Sequence, residues 1–129
     1  MPLSQRLILR TEYLIIAIMA AMLFVGVEHY SWWWLIVLFF AFDISLIGYV
    51  LSPKMGALTY NAVHNLIAPA ILLGLHFIIP APWLLFVGLL WLFHVSVDRT
   101  IGFGLMYGDK FGHTNLATIT LPSIKWGKK

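Results

Sequence analysis

Hydrophobic positions fall into four long runs separated by short polar breaks. The runs cover about residues 11–27, 32–51, 57–79 and 82–101. Each is close to the roughly 20 residues that a membrane-crossing helix needs. The breaks carry turn or helix-breaking residues: Glu28-His29-Tyr30-Ser31, Ser52-Pro53-Lys54 and Pro80-Ala81-Pro82. Links this short predict that consecutive helices are antiparallel neighbours, up-down-up-down. The pattern therefore predicts an all-α, four-helix transmembrane bundle. It is a single integral membrane domain over residues 1–129, with a polar, glycine-rich tail over 102–129. The first run follows Arg6 and Arg10, as a signal peptide would. However, Glu12 sits at its start and no small-x-small cleavage site follows Val27, so it reads as a retained helix.

Composition sharpens this picture. The chain is 61% hydrophobic and 10% charged, against about 25% charged in a soluble domain. That excludes an ordinary water-soluble globule, and it equally excludes intrinsic disorder. With no cysteine there is no disulfide scaffold and no thiolate chemistry. The net charge of +3 comes from residues that flank the apolar runs, so it argues for membrane topology and against a nucleic-acid partner. The basic residues are Arg6, Arg10, Lys54, Arg99, Lys110, Lys125, Lys128 and Lys129. All lie before helix one, between helices two and three, or at and after the end of helix four. The positive-inside rule then predicts cytoplasmic N- and C-termini, in a multi-pass protein of the cell inner (plasma) membrane. Trp32, Trp33, Trp34 and Trp83 fall at the opposite ends, where an aromatic belt belongs. Trp126, among lysines, is a candidate surface anchor.

Ionisable groups inside a bilayer are costly and mark functional sites. The candidates are Glu12, Asp43, His64, His94 and Asp98. At about 1.5 Å rise per residue, Asp43 lies about 12 Å from the cytoplasmic end, and His64 and His94 about 10 Å. Three helices thus place one ionisable group each at nearly one level, with Glu12 and Asp98 nearer the surface. His94 and Asp98 are i and i+4 and share a face, as do Tyr60 and His64. Pro69, one turn beyond, is expected to kink helix three and free backbone carbonyls. Imidazole and carboxylate together suit zinc, iron or manganese, and helix bundles build such centres from inward-facing side chains. On that reading Asp43, His64 and His94 are metal ligands. Asp98 is a ligand or a carboxylate orienting His94, and Glu12 a further ligand or the general base. Tyr60, Asn61 and Arg99 hold substrate. A plainer reading stands beside it: these groups hydrogen-bond one another and fix packing. No metal-binding signature sequence is present. His113-Thr114-Asn115 can fold back over the cytoplasmic mouth, but a loop in solvent is the expectation there, and helix packing is the expectation for Ala17 and Ala21.

Several of these stretches also resemble one family. They are Arg10-x-Glu12, Asp43-x-Ser45-x-x-Gly48-Tyr49, Pro53-Lys54-x-Gly56-Ala57 and Tyr60-Asn61-x-x-His64-Asn65 with Pro69. His94-x-x-x-Asp98-Arg99-x-x-Gly102-x-Gly104-Leu105 completes the set. Together they are similar to the small bacterial membrane proteins grouped as domain of unknown function 4260. The tail Phe111-x-x-Thr114 resembles the family's segment too, but Asn115 stands where a histidine is expected. Phe42 stands where a proline usually precedes the helix-two aspartate. The resemblance implies a four-helix membrane protein with this polar set and carries no activity.

The sequence therefore points first to a metal-dependent membrane enzyme, a hydrolase acting on a lipid or amphiphile from the cytoplasmic leaflet. A proton- or cation-coupled transporter or channel subunit is the first alternative, and it would need a homo-oligomer. A non-catalytic scaffold or accessory subunit is the second.

Overall fold

Four helical rods arise from the four apolar runs: Leu3–Val27, Trp33–Val50, Pro53–His76 and Pro82–Ile101. Each is long and apolar enough to cross a membrane. The computed structural model describes residues 2–117. Among them the regular structure is helical, apart from one isolated antiparallel bridge between Met106 and Thr114.

The first rod is an α-helix, α1 (Leu3–Ala21), that loosens into a π-helical stretch over Met22–Val27. It starts before Thr11 because Leu3, Leu7 and Ile8 continue the apolar run, and Arg10 finds a partner in the Thr100 carbonyl at 2.8 Å. The second rod opens as α2 (Trp33–Val37) and continues as a 3₁₀ helix over Phe39–Val50. The third is two helices, α3 (Pro53–Val63) and α4 (Ile67–His76), separated by a break at residues 64–66. Ser52 caps α3 by accepting the Met55 N–H, and Pro53 occupies the first turn, where its missing N–H costs nothing. The fourth rod is α5 (Pro82–Ile101), closed by Gly102 in the left-handed region, φ 112°.

α5 is the centre of the bundle. Half of it is buried, against 17–22% of the other rods. α1 and α4 pack on α5, while α3 packs on the 3₁₀ segment. The first and second rods share no extensive interface, although a short loop joins them. That departs from the expectation that every consecutive pair would be neighbours. A short link restricts how far two helices can separate but does not make their faces complementary.

In a bilayer there is no hydrophobic force drawing helices together, so close packing and hydrogen bonds decide the arrangement. Both are visible where α3 meets the 3₁₀ segment. A side chain at Gly56 would overlap the Tyr49 ring, and one at Gly48 would strike Thr59 and the Met55 carbonyl. The absent side chains let the backbones approach until the Thr59 hydroxyl reaches the Ser45 carbonyl at 2.6 Å. At the far end, Phe24, Leu35, Leu89 and Leu90 form an apolar core with Trp34 and Phe86 against it. Trp32, Trp33 and Trp83 remain exposed, whereas Trp34 is drawn into the packing.

Gly56→Ala is expected to destabilise the protein by about 1–3 kcal/mol through overpacking, read as a lowered thermal midpoint in detergent. Gly26→Ala, which meets open space, should stay within about 0.5 kcal/mol. Equal behaviour of the two would refute the close-approach argument.

Candidate metal centre

The second rod delivers Asp43 through its 3₁₀ geometry. A 3₁₀ helix repeats every three residues, so positions i and i+3 eclipse. Ala41, Ile44, Ile47 and Val50 are exposed, and the pairs between them face inward. One inward line carries Phe42, Ser45 and Gly48; the other carries Asp43, Leu46 and Tyr49. At 3.6 residues per turn these lines would drift around the helix. At 3.0 they hold Asp43 and Ser45 against the bundle together.

The third rod delivers His64 by breaking. Pro69 cannot donate to the carbonyl four residues back and clashes with it. The helix stops at Val63, and the chain restarts at Ile67, whose N–H is accepted by the Asn65 side chain at 2.8 Å. The carbonyls of residues 61–64, just before and at the break, find side-chain donors. Asn65 donates to the Asn61 and Ala62 carbonyls, Trp91 to Val63 at 2.8 Å, and Arg99 to His64 at 2.7 Å. The expected kink at Pro69 is thus present, in the stronger form of an interruption.

The fourth rod supplies His94 and Asp98 one turn apart on the same face of α5. The four side chains converge. His64 Nε2 lies 2.9 Å from His94 Nε2. Asp43 Oδ1 is 3.4 Å from both imidazole nitrogens, and Asp98 Oδ2 is 3.3 and 3.2 Å from them. All four donor atoms lie within 4.8 Å of one another. Both histidines are buried, whereas the Asp43 side chain is 31% exposed, so the cluster opens on the Asp43 side.

The rings are fixed in place. Tyr60 stacks on His64 at 3.8 Å and 6°. His94 lies against Phe39 and Phe42, with ring centres 4.2 and 5.3 Å away. His64 Nδ1 sits 3.1 Å from the Tyr60 backbone carbonyl and 3.2 Å from Ser45 Oγ. A carbonyl only accepts, so Nδ1 carries a hydrogen and Nε2 is the nitrogen that faces the cluster. That is the arrangement in which a carbonyl partner orients a ligating histidine. His94 Nδ1 is buried with no hydrogen-bond partner.

The other candidates lie elsewhere. Glu12 is exposed on α1, beside Tyr13, Ile16 and Leu66 in a shallow groove, and is outside the four-residue set. Asn61 is engaged at both ends of its amide: it donates to the Met106 carbonyl at 2.9 Å and accepts the Met106 N–H at 2.7 Å. Arg99 is buried, bonded to the His64 carbonyl and placed over the Tyr13 ring at 5.5 Å. The Tyr60 hydroxyl is buried with no hydrogen-bond partner.

The segment after Gly102 packs more closely than a solvated loop. Met106 joins Tyr49, Ala57 and Tyr60 in a buried cluster flanked by Phe103 and Phe111. Thr114, expected in a solvated loop, is instead buried. Asn115, at the position where the resemblance led to a histidine, accepts the Leu105 N–H at 2.9 Å. His113 pairs with Asp109 at 2.6 Å on the surface. That bond holds the Asp109 carboxyl below its ordinary range, so its small contribution is present above that range and lost as pH falls through it. Trp126 lies outside the described residues. Phe111 and Met106 were missed as packing residues in the sequence. An apolar residue every few positions in a glycine-rich tail was the signal available.

Asn61→Ala removes two hydrogen bonds that dock this segment, worth about 1–3 kcal/mol together. Limited proteolysis within residues 105–116 should accelerate in this variant while the helical rods stay intact. Unchanged cleavage would show that the apolar cluster alone holds the segment.

Comparison with known proteins places the chain. No curated protein matches it, and no solved structure does. A family model, that of a domain of unknown function (DUF4260), matches residues 6–119. The match runs from α1 through all four donor residues and into the docked segment, and the chain belongs to the DUF4260 family.

Proposed function

We propose that Asp43, His64, His94 and Asp98 hold one divalent cation and that the protein is a metal-dependent membrane hydrolase. The observation that carries this reading is the geometry of the donor atoms. Around a metal with bonds of about 2.0–2.1 Å, tetrahedral donors lie about 3.3–3.4 Å apart. Five of the six separations run from 2.9 to 3.4 Å, and the sixth, between the two carboxylates, is within 4.8 Å, wider than a regular tetrahedron needs and open to an added ligand. Two carboxylates would balance a divalent charge, which offsets the cost of burying them among apolar helices. Two imidazoles and two carboxylates suit zinc, iron or manganese, and a reacting water would take a fifth position on the cation or the place of Asp43.

A bound cation would polarise a carbonyl or phosphoryl oxygen and lower the pKa of a bound water. The partly exposed Asp43 is the side from which substrate would reach the cluster, and its carboxylate, once displaced from the cation by water, is better placed as general base than Glu12. A lipid or other amphiphile fits a site set within apolar rods. The basic end of the bundle, with Arg10, Lys54 and Arg99, would face the cytoplasm of the inner membrane. Arg99 and Asn61 would act by holding the break and the docked segment, and Tyr60 by clamping His64.

One distance favours a second reading. At 2.9 Å the two imidazole nitrogens can share a proton directly, as in a proton relay. Elemental analysis of the detergent-purified protein separates the two. Near-stoichiometric zinc, iron or manganese is expected in the wild type. His64→Ala and His94→Ala should each weaken metal binding by at least the roughly 10–100-fold typical of losing an outer-shell partner, with helix content unchanged. Cobalt substitution should give the visible absorption of a tetrahedral site. A folded protein that takes up no metal on reconstitution would sink this proposal and direct attention to proton flux in liposomes.

A further inference from the structure

The first and second rods stand apart over one face of α5, and the gap between them is a groove of about 920 Å³. It lies at the upper end of the range for ligand sites, about 300–1,000 Å³. Leu14, Ile18 and Val25 form one wall, Trp32 and Leu35 the other, and Phe93 and Val97 the floor. All these residues belong to the membrane-spanning rods or the loop joining the first two. The floor residues immediately precede His94 and Asp98 in α5, so the groove begins at the level of the ligand cluster and runs toward the opposite end of the bundle.

The groove's own lining is apolar and ends at Leu14, and below it α1 carries two arginines. Arg10 lies one turn before Leu14 on α1, and Arg6 one turn before Arg10. Both are half-buried, Arg10 is tied to the Thr100 carbonyl at 2.8 Å, and Arg6 Nε is buried with no partner. Among the described residues, no carboxylate lies within ion-pair distance of either arginine. An apolar trough with two guanidinium groups, unpaired with any carboxylate, one and two turns below its end matches an amphiphile with an anionic head.

We propose that this groove is a binding site for an anionic phospholipid, its acyl chain along Leu14–Val25 and its phosphate at Arg6 and Arg10. The site does not depend on a metal in the Asp/His cluster. If both readings hold, the lipid lies alongside His94 and Asp98 and is of the substrate class.

The test uses the full chain in detergent, equilibrated with equal amounts of phosphatidylglycerol and phosphatidylcholine. After gel filtration the retained lipid is counted by mass spectrometry. The wild type should retain about one phosphatidylglycerol per chain, in at least fivefold preference, since one arginine near an anionic head is worth about a factor of five. Arg10→Gln should erase most of the preference. Ile18→Trp and Val25→Trp fill the groove from its exposed wall and should each reduce retained lipid at least severalfold. Having two such variants covers the failure of one to fold. Retained lipid in the supplied ratio, unaffected by either tryptophan, would overturn the site. Dimers that become monomers in the tryptophan variants, with lipid unchanged, would overturn it in favour of a second copy of the chain. Metal content measured on the same samples should not change with Arg10→Gln, so loss of one reading leaves the other readable.

Discussion

Four ionisable side chains within apolar helices must compensate one another, and that requirement organises this protein. Taken singly, Asp43, His64, His94 and Asp98 would each be expensive in a bilayer-spanning helix. Brought to within 4.8 Å of one another, they become one polar unit whose charges can be balanced internally or by a cation. Because the unit draws on three rods, any shift of one rod strands a buried group without its partners. The bundle is therefore held by a central polar contact as well as by packing.

Two irregularities of the backbone, the 3₁₀ segment and the break at residues 64–66, serve that contact. A regular α-helix through residues 39–50 would rotate Asp43 and Ser45 out of line with each other. The three-residue repeat keeps them together and turns Ala41, Ile44, Ile47 and Val50 outward. A regular helix through residue 64 would leave the His64 carbonyl inside its own ladder. The break hands that carbonyl to Arg99 and puts the imidazole between Tyr60 and the cluster. Gly48 and Gly56 then allow the two irregular segments to lie close enough for Thr59 to bridge them. Arg99 in turn lies over the Tyr13 ring of α1, so the histidine break is connected to the first rod. The segment after Gly102 completes the frame from below, gripping Asn61 one turn before His64.

The sequence by itself determined a good deal. Hydropathy alone gives four rods and an all-helical bundle, because a bilayer leaves the backbone few other ways to satisfy itself. Matched depth alone picks out Asp43, His64 and His94, because short loops force antiparallel rods and a fixed rise per residue converts position into height. Helical spacing adds Asp98 to His94. Even the 3₁₀ period is present in the sequence: the polar and glycine residues of 43–49 avoid every third position, 41, 44, 47 and 50.

Only the tertiary structure decided the rest. Depth says nothing about azimuth, so Glu12 qualified by chemistry and yet lies exposed on α1, outside the four-residue set. Asn61 and Arg99 looked like ligands for a substrate because their partners, Met106 and the His64 carbonyl, are set by backbone irregularities that residue identity does not reveal. The docked segment hides in a polar, glycine-rich composition, where a few apolar residues suffice once a complementary surface stands beneath them. Neighbourhood in sequence did not make the first and second rods neighbours in space. Helix pairing inside a bilayer is chosen by complementary faces and hydrogen bonds, and those exist only when all the rods are present together.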